Sequence, residues 1–161
     1  MKIWINNRQR KTVISQENLR KKAEKILNAS GWSEGELSLT LMNDRAMARL
    51  NRDTFGRRGP TNVIAFPLDD TPSPFGPPAV LGEVVICLET TRRQAREFGW
   101  PWQELLDFFL IHGILHLLGY DHEDPGAAAR MEARAWELMG LLYPGRSWDL
   151  ESASSGQENS P

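Results

Sequence analysis

Residues 101 to 122 read Pro101-Trp-Gln-Glu-Leu-Leu-Asp-Phe-Phe-Leu-Ile-His112-Gly-Ile-Leu-His116-Leu-Leu-Gly119-Tyr-Asp-His122, and all three histidines of the chain lie in this stretch. Leu105, Leu106 and Phe109 fall at helical spacing, and Pro101 stands where a first helical turn tolerates it. The neighbours Ile111, Ile114, Leu115, Leu117 and Leu118 leave this helix few polar faces, so it is expected to be largely buried at the centre of the fold. His112 and His116, four residues apart, project from one face on consecutive turns, close enough to bind one cation. Gly119 can take a positive φ, end the helix and turn the chain so that His122 returns toward the pair. Unpartnered imidazoles are costly in such surroundings unless hydrogen-bonded or metallated. Three nitrogens on one ion leave a fourth position for water, the usual arrangement of catalytic rather than structural zinc.

Working outward, the 161-residue length suits one domain with a substantial core, and 40% hydrophobic residues with six Trp are the composition of a globular protein. One cysteine, Cys87, sits in the apolar run Leu81-Gly-Glu-Val-Val-Ile-Cys-Leu88. It cannot form an internal disulfide and is expected to be a buried strand residue in a reducing compartment. The N-terminus has no apolar signal region and nowhere do 18 apolar residues run together, so a soluble, cytoplasmic protein is expected. Charge is divided unevenly. Through Arg58 there are 13 Lys+Arg against 6 Asp+Glu, and from Gly59 onward 6 against 15, a net charge of −2 made from +7 and −9. The basic groups cluster as Arg8/Arg10/Lys11, Arg20/Lys21/Lys22/Lys25 and Arg57/Arg58. Each cluster reads either as a solvated face or as part of a phosphate-attracting surface.

Lys2 to Asn6 alternates as a short strand. Ser15 then caps a helix whose Leu19, Ala23, Ile26 and Leu27 share one face, and Gly31 stops it. Leu37, Leu39 and Leu41 alternate with Ser38, Thr40 and Met42 as a second strand, and Asn43 or Asp44 caps a helix bearing Ala46, Met47 and Leu50. Thr61 to Phe66 reads as a third strand ended by Pro67, and Leu81 to Leu88 as a central strand covered on both faces. The Pro-rich segment Leu68 to Ala79 is expected to be an exposed connection. Thr90 to Phe98 is a helix closed by Gly99, and Asp124-Pro125 opens a last helix with Met131, Ala135, Leu138, Met139 and Leu142 as its core stripe. The order β-α-β-α-β-β-α-α-α implies an α/β (α+β) domain over residues 1–150, a mixed sheet of about four strands with helices packed on it. Residues 151–161, with almost nothing to bury, are expected to form a disordered tail.

The histidine spacing matches the zinc-peptidase pattern H-E-x-x-H-x-x-G-x-x-H at each histidine and at the glycine. Gly113 stands where the glutamate would be, so the general base of such peptidases is not supplied from that position. A metal alone can still activate water and polarise a substrate oxygen, which leaves hydrolysis open.

His112-Gly-Ile-Leu-His-Leu-Leu-Gly-Tyr-Asp-His122 resembles the signature of the YbeY family of endoribonucleases. Pro60-Thr-Asn-Val-Ile-Ala-Phe-Pro67 resembles that family's PT(D/N)VLSFP strand, and Leu81-Gly-Glu-Val-Val-Ile86 its LGD(I/L)VI strand, with similarity running from about Leu37 to Tyr143. The resemblance implies a cytosolic, single-domain, metal-dependent RNase of ribosomal RNA maturation, acting at the 3′ end of 16S rRNA and in ribosome quality control. It also implies zinc on His112, His116 and His122, with RNA and the ribosomal subunit as partners and neither DNA nor membrane. The family usually carries an arginine in LNxxYRGKDxPT, whereas Leu50-Asn-Arg-Asp-Thr-Phe-Gly-Arg-Arg-Gly-Pro-Thr61 puts Thr54 at the tyrosine, Phe55 at the arginine, Arg57 at the lysine and Arg58 at the aspartate.

Two readings of Arg57 and Arg58 follow: either arginine presents its fork to a phosphate in place of the missing one, or both are solvated loop charges. Asp121 has two readings as well, a proton-handling or histidine-orienting group beside the metal, or a residue that fixes the turn. The expected activity is metal-dependent cleavage of single-stranded RNA, by activated water or by the RNA's own 2′-hydroxyl. The alternatives are a metallopeptidase-like hydrolase and a non-catalytic, ribosome-associated zinc protein.

Overall fold

The computed structural model describes residues 1–68 and 80–148. The Pro-rich connection, apart from Leu68, and the C-terminal tail anticipated from composition lie outside the described residues. Four strands form one sheet: β1 (Lys2–Asn7), β2 (Glu36–Met42), β3 (Val63–Pro67) and β4 (Val80–Cys87), in the order β1-β2-β4-β3. The first three in that order run parallel, and β3 is antiparallel to β4 with Val63 opposite Ile86 and Ala65 opposite Val84. The expected mixed four-stranded sheet is thus present. Pro67, which cannot donate to a ladder, ends the edge strand β3, where the missing N–H costs nothing.

The helices are α1 (Gln16–Ala29), α2 (Asp44–Phe55), α3 (Leu88–Phe98), α4 (Trp102–Leu117) and α5 (Pro125–Leu142). Local chemistry sets their ends. The side chains of Ser15, Asn43 and Asp124 accept hydrogen bonds from Asn18, Ala46 and Ala127 N–H, satisfying donors that open helices leave orphaned. Period-two alternation gives the sheet two apolar faces. Leu37, Leu39, Leu41, Val84 and Ile86 pack with Ile26 and Leu27 of α1, Leu110, Ile111, Ile114 and Leu115 of α4, and Met131 and Leu138 of α5. On the other face Met42, Val85 and Cys87 meet Ile64 and Met47 of α2. Strand β4 is therefore covered on both sides, as its nearly continuous apolar run predicts.

Helix α4 lies against β3 and β4 and touches α1, α3 and α5, so the histidine-bearing element is the hub of the fold. At Gly113 the helix comes close to the sheet, and an added Cβ would lie within 2.5 Å of Val84 Cγ1 and 3.3 Å of Val63 Cγ2. One buried acid on α4 is held from two neighbouring elements: Asp107 pairs with Lys22 Nζ of α1 at 2.8 Å and accepts from the Tyr143 hydroxyl just beyond α5. No helix among the described residues is long and apolar enough to cross a membrane.

Candidate metal centre and substrate cleft

Two of the three histidines are placed by α4 and the third by the turn that follows it. Helix α4 ends at Leu117, and Gly119 takes a φ of +98°, which reverses the chain and brings His122 back over the last turn. The His116 and His122 ring centroids are 5.5 Å apart and those of His112 and His122 6.3 Å. Two imidazoles bound tetrahedrally through nitrogen at roughly 2.1 Å put their centroids about 5 Å apart. The first pair nearly meets that spacing, and the second would need to close by about 1 Å. Among the described residues no group of three His, Cys, Asp or Glu side chains is already drawn into metal-site geometry. The rings are gathered at one place without being closed on a point.

The chemistry of the donors fits a cation. The Tyr120 carbonyl can only accept, so His116 Nδ1, 3.1 Å away, donates to it and leaves Nε2 with its lone pair outward. Burial, reinforced by the neighbouring His116 and His122, pushes His112 down to about 4. Burial and His122 likewise lower His116, against the pull of the Tyr120 carbonyl and Asp121. Both rings are thus neutral at pH 7, the form that binds metal. His112 is held from behind by Phe108 at 4.3 Å between ring centroids, and Phe108 stacks on Trp136 at 4.9 Å.

A cleft of about 530 Å³ opens beside His116, which alone of the three histidines lines it, with Tyr120 and Asp121 on the same side and Asn51, Phe55 and Arg57 on the other. Arg57 thus shares a cavity with His116 and Asp121. Arg58, exposed on the same loop, does not line it. Asp121 Oδ1 accepts from the Glu123 N–H at 3.0 Å, a bond that spans His122 and sets the turn around it. Asn51 is a participant that sequence reading passed over. It is buried in α2, its Nδ2 donates to the Gly59 carbonyl at 3.0 Å, and its backbone carbonyl accepts from the Arg57 backbone N–H at 3.4 Å. Its signal was visible in hindsight: a buried-face asparagine one turn after Met47, which only a hydrogen bond makes tolerable.

A family model described as endoribonuclease YbeY matches residues 4–142. A Geobacter sulfurreducens protein named endoribonuclease YbeY is 44% identical over 149 residues, covering 90% of this chain and 98% of that protein. Another of the same name, from Syntrophotalea carbinolica, is 45% identical over 142 residues, covering 87% and 95%. The chain belongs to the YbeY family. A Thermotoga maritima protein solved in solution has the same fold, with a TM-score of 0.66, 28% identity and coverage of 98% of this chain and 96% of that one. Against the YbeY pattern the departure at Phe55 is placed inside the cleft, and Arg57 lies over the Phe55 ring with Cζ 5.6 Å from its centroid. Gly113 faces the sheet and not the cleft, so a glutamate there would meet Val84 before it could reach substrate.

Proposed function

We propose that this chain is a metal-dependent endoribonuclease of single-stranded ribosomal RNA, acting in the cytoplasm on the 3′ end of 16S rRNA and in ribosome quality control, with zinc as its ion. The observation that carries the reading is the common cleft of His116, Asp121 and Arg57, in which an imidazole, a carboxylate and a guanidinium line one substrate-sized space. His112, His116 and His122 would hold the ion, which when bound supplies Lewis acidity toward a phosphodiester oxygen. The Tyr120 carbonyl orients His116, and the Asp121 turn holds the His122 backbone. Arg57 offers a planar fork of donors to a phosphate, anchored through its loop by Asn51. The 2′-hydroxyl is the feature by which such a site tells RNA from DNA.

The test is incubation of metal-quantified protein with ribosomal RNA and with casein, each beside His116→Ala. RNA cleavage that disappears in the variant, together with loss of stoichiometric metal by elemental analysis, is the expected outcome. Cleavage of casein with RNA untouched, or full metal retention in the variant, would overturn the reading. Cyclic phosphate ends on the products would identify the RNA's own hydroxyl as the attacking group.

A further inference from the structure

We propose that Phe55 is a stacking platform for one base of the single-stranded RNA in the cleft, with Arg57 holding an adjoining phosphate; this rests on the RNA-cleaving reading above. Phe55 is the last residue of α2, 48% exposed, and belongs to none of the hydrophobic clusters of the described residues. Of the large hydrophobic side chains exposed there, Trp4, Val13, Phe55, Leu68, Phe98 and Leu141, it alone lines the cleft beside His116. A wet aromatic face at the mouth of a cleft gains nothing for the core, whereas it matches the π-face that every base presents once unstacked.

The surroundings favour a nucleotide over an apolar ligand. The Arg57 guanidinium is 5.6 Å from the ring centroid, within cation–π range, so one group steadies the ring and carries the positive charge a backbone phosphate seeks. Among the described residues that guanidinium pairs with no carboxylate. The backbone beneath is fixed: Gly56 caps α2 in the left-handed region, and Asn51 binds the carbonyl of Gly59 and the N–H of Arg57. Platform and cation are therefore presented from a tethered loop, which lowers the ordering cost of binding. Stacking of this kind tolerates any base, so the platform would set where the strand lies relative to the histidines without imposing a sequence.

The experiment measures the affinity of the full-length, metal-loaded protein for a short single-stranded RNA, in the cold and within a time over which gels show no cutting, and repeats it with each base removed in turn. In the wild type, removal of one base is expected to weaken binding about tenfold. Phe55→Ala should lose a similar factor and become indifferent to that base, Phe55→Trp should restore both, and Phe55→Leu should behave as the alanine variant. Circular dichroism confirms that each variant folds, as the exposed position leads one to expect. Wild-type affinity and an unchanged base profile in Phe55→Ala would overturn the platform and leave the RNA reading intact. Full recovery in Phe55→Leu would reduce the side chain to apolar packing and also overturn it. Failure of the wild type to bind single-stranded RNA at all would remove both claims.

Discussion

At Gly113 the lack of a side chain decides two things. It lets α4 descend onto β4 until a Cβ would stand 2.5 Å from Val84 Cγ1, and it leaves the helix without the glutamate on which a zinc peptidase depends. Because Val84 is fully buried and β-branched, its methyl groups have little freedom to retreat. Gly113→Ala should therefore destabilise the protein by about 1–3 kcal/mol despite the better helix propensity of alanine. Denaturant titration of the two proteins checks this, and unchanged stability would mean that the sheet yields at this contact. At the same scale the caps were legible in sequence, since Ser15, Asn43, Gly99 and Gly119 each act through their own backbone or near neighbours. The behaviour of Asn51 and Phe108 was not, because each depends on a partner that its own spacing does not specify: Gly59 across a loop, and His112 and Trp136 across a packed interface.

The helices and strands are tied together by a few polar clamps as well as by the core. Asp44, the first residue of α2, accepts from Thr90 Oγ1 at 2.7 Å, from Arg93 Nη1 at 2.8 Å and from Cys87 Sγ at 3.1 Å, joining α2 to α3 and to the end of β4. Burial alone would raise its pKa, but the bonds from Arg93, Thr90 and Cys87 outweigh it and hold the carboxyl below its usual value. A depressed folded pKa contributes stability that is fully present above the unfolded value and is lost as pH falls through the folded one. Asp44→Asn should thus cost about 0.5–1 kcal/mol at neutral pH, discounted for partial exposure, and the gap between variant and wild type should close as pH drops below about 4. Thermal melts over that range measure it, and a pH-independent gap would assign the loss to geometry instead. The elements themselves and their order were readable from periodicity and punctuation. Their arrangement was not: that β3 runs antiparallel beside β4, and that β2 sits between β1 and β4, follows from contacts distant in sequence.

Over the whole molecule the charge split has a functional side. The +7 balance through Arg58 belongs to the part of the chain that brings Arg57 to the cleft, while the −9 remainder carries the histidines. Arg57→Glu should weaken RNA binding and lower the slope of log affinity against log salt by about 1, with Arg58→Glu having the smaller effect because it lies outside the cleft. Filter binding across a salt series distinguishes them, and equal effects would indicate a diffuse field in place of a defined contact. The run of rings behind His112 carries a different consequence. Phe108 touches His112, Trp136 stacks on Phe108, and Trp148 stacks on Trp136 at 6.3 Å between centroids. A shift of the His112 imidazole reaches the Trp136 indole through Phe108, so loading with metal should alter the intrinsic ultraviolet emission in proportion to occupancy. Trp136→Phe should mute that signal, and the protein in effect carries a built-in optical gauge of whether its ion has arrived.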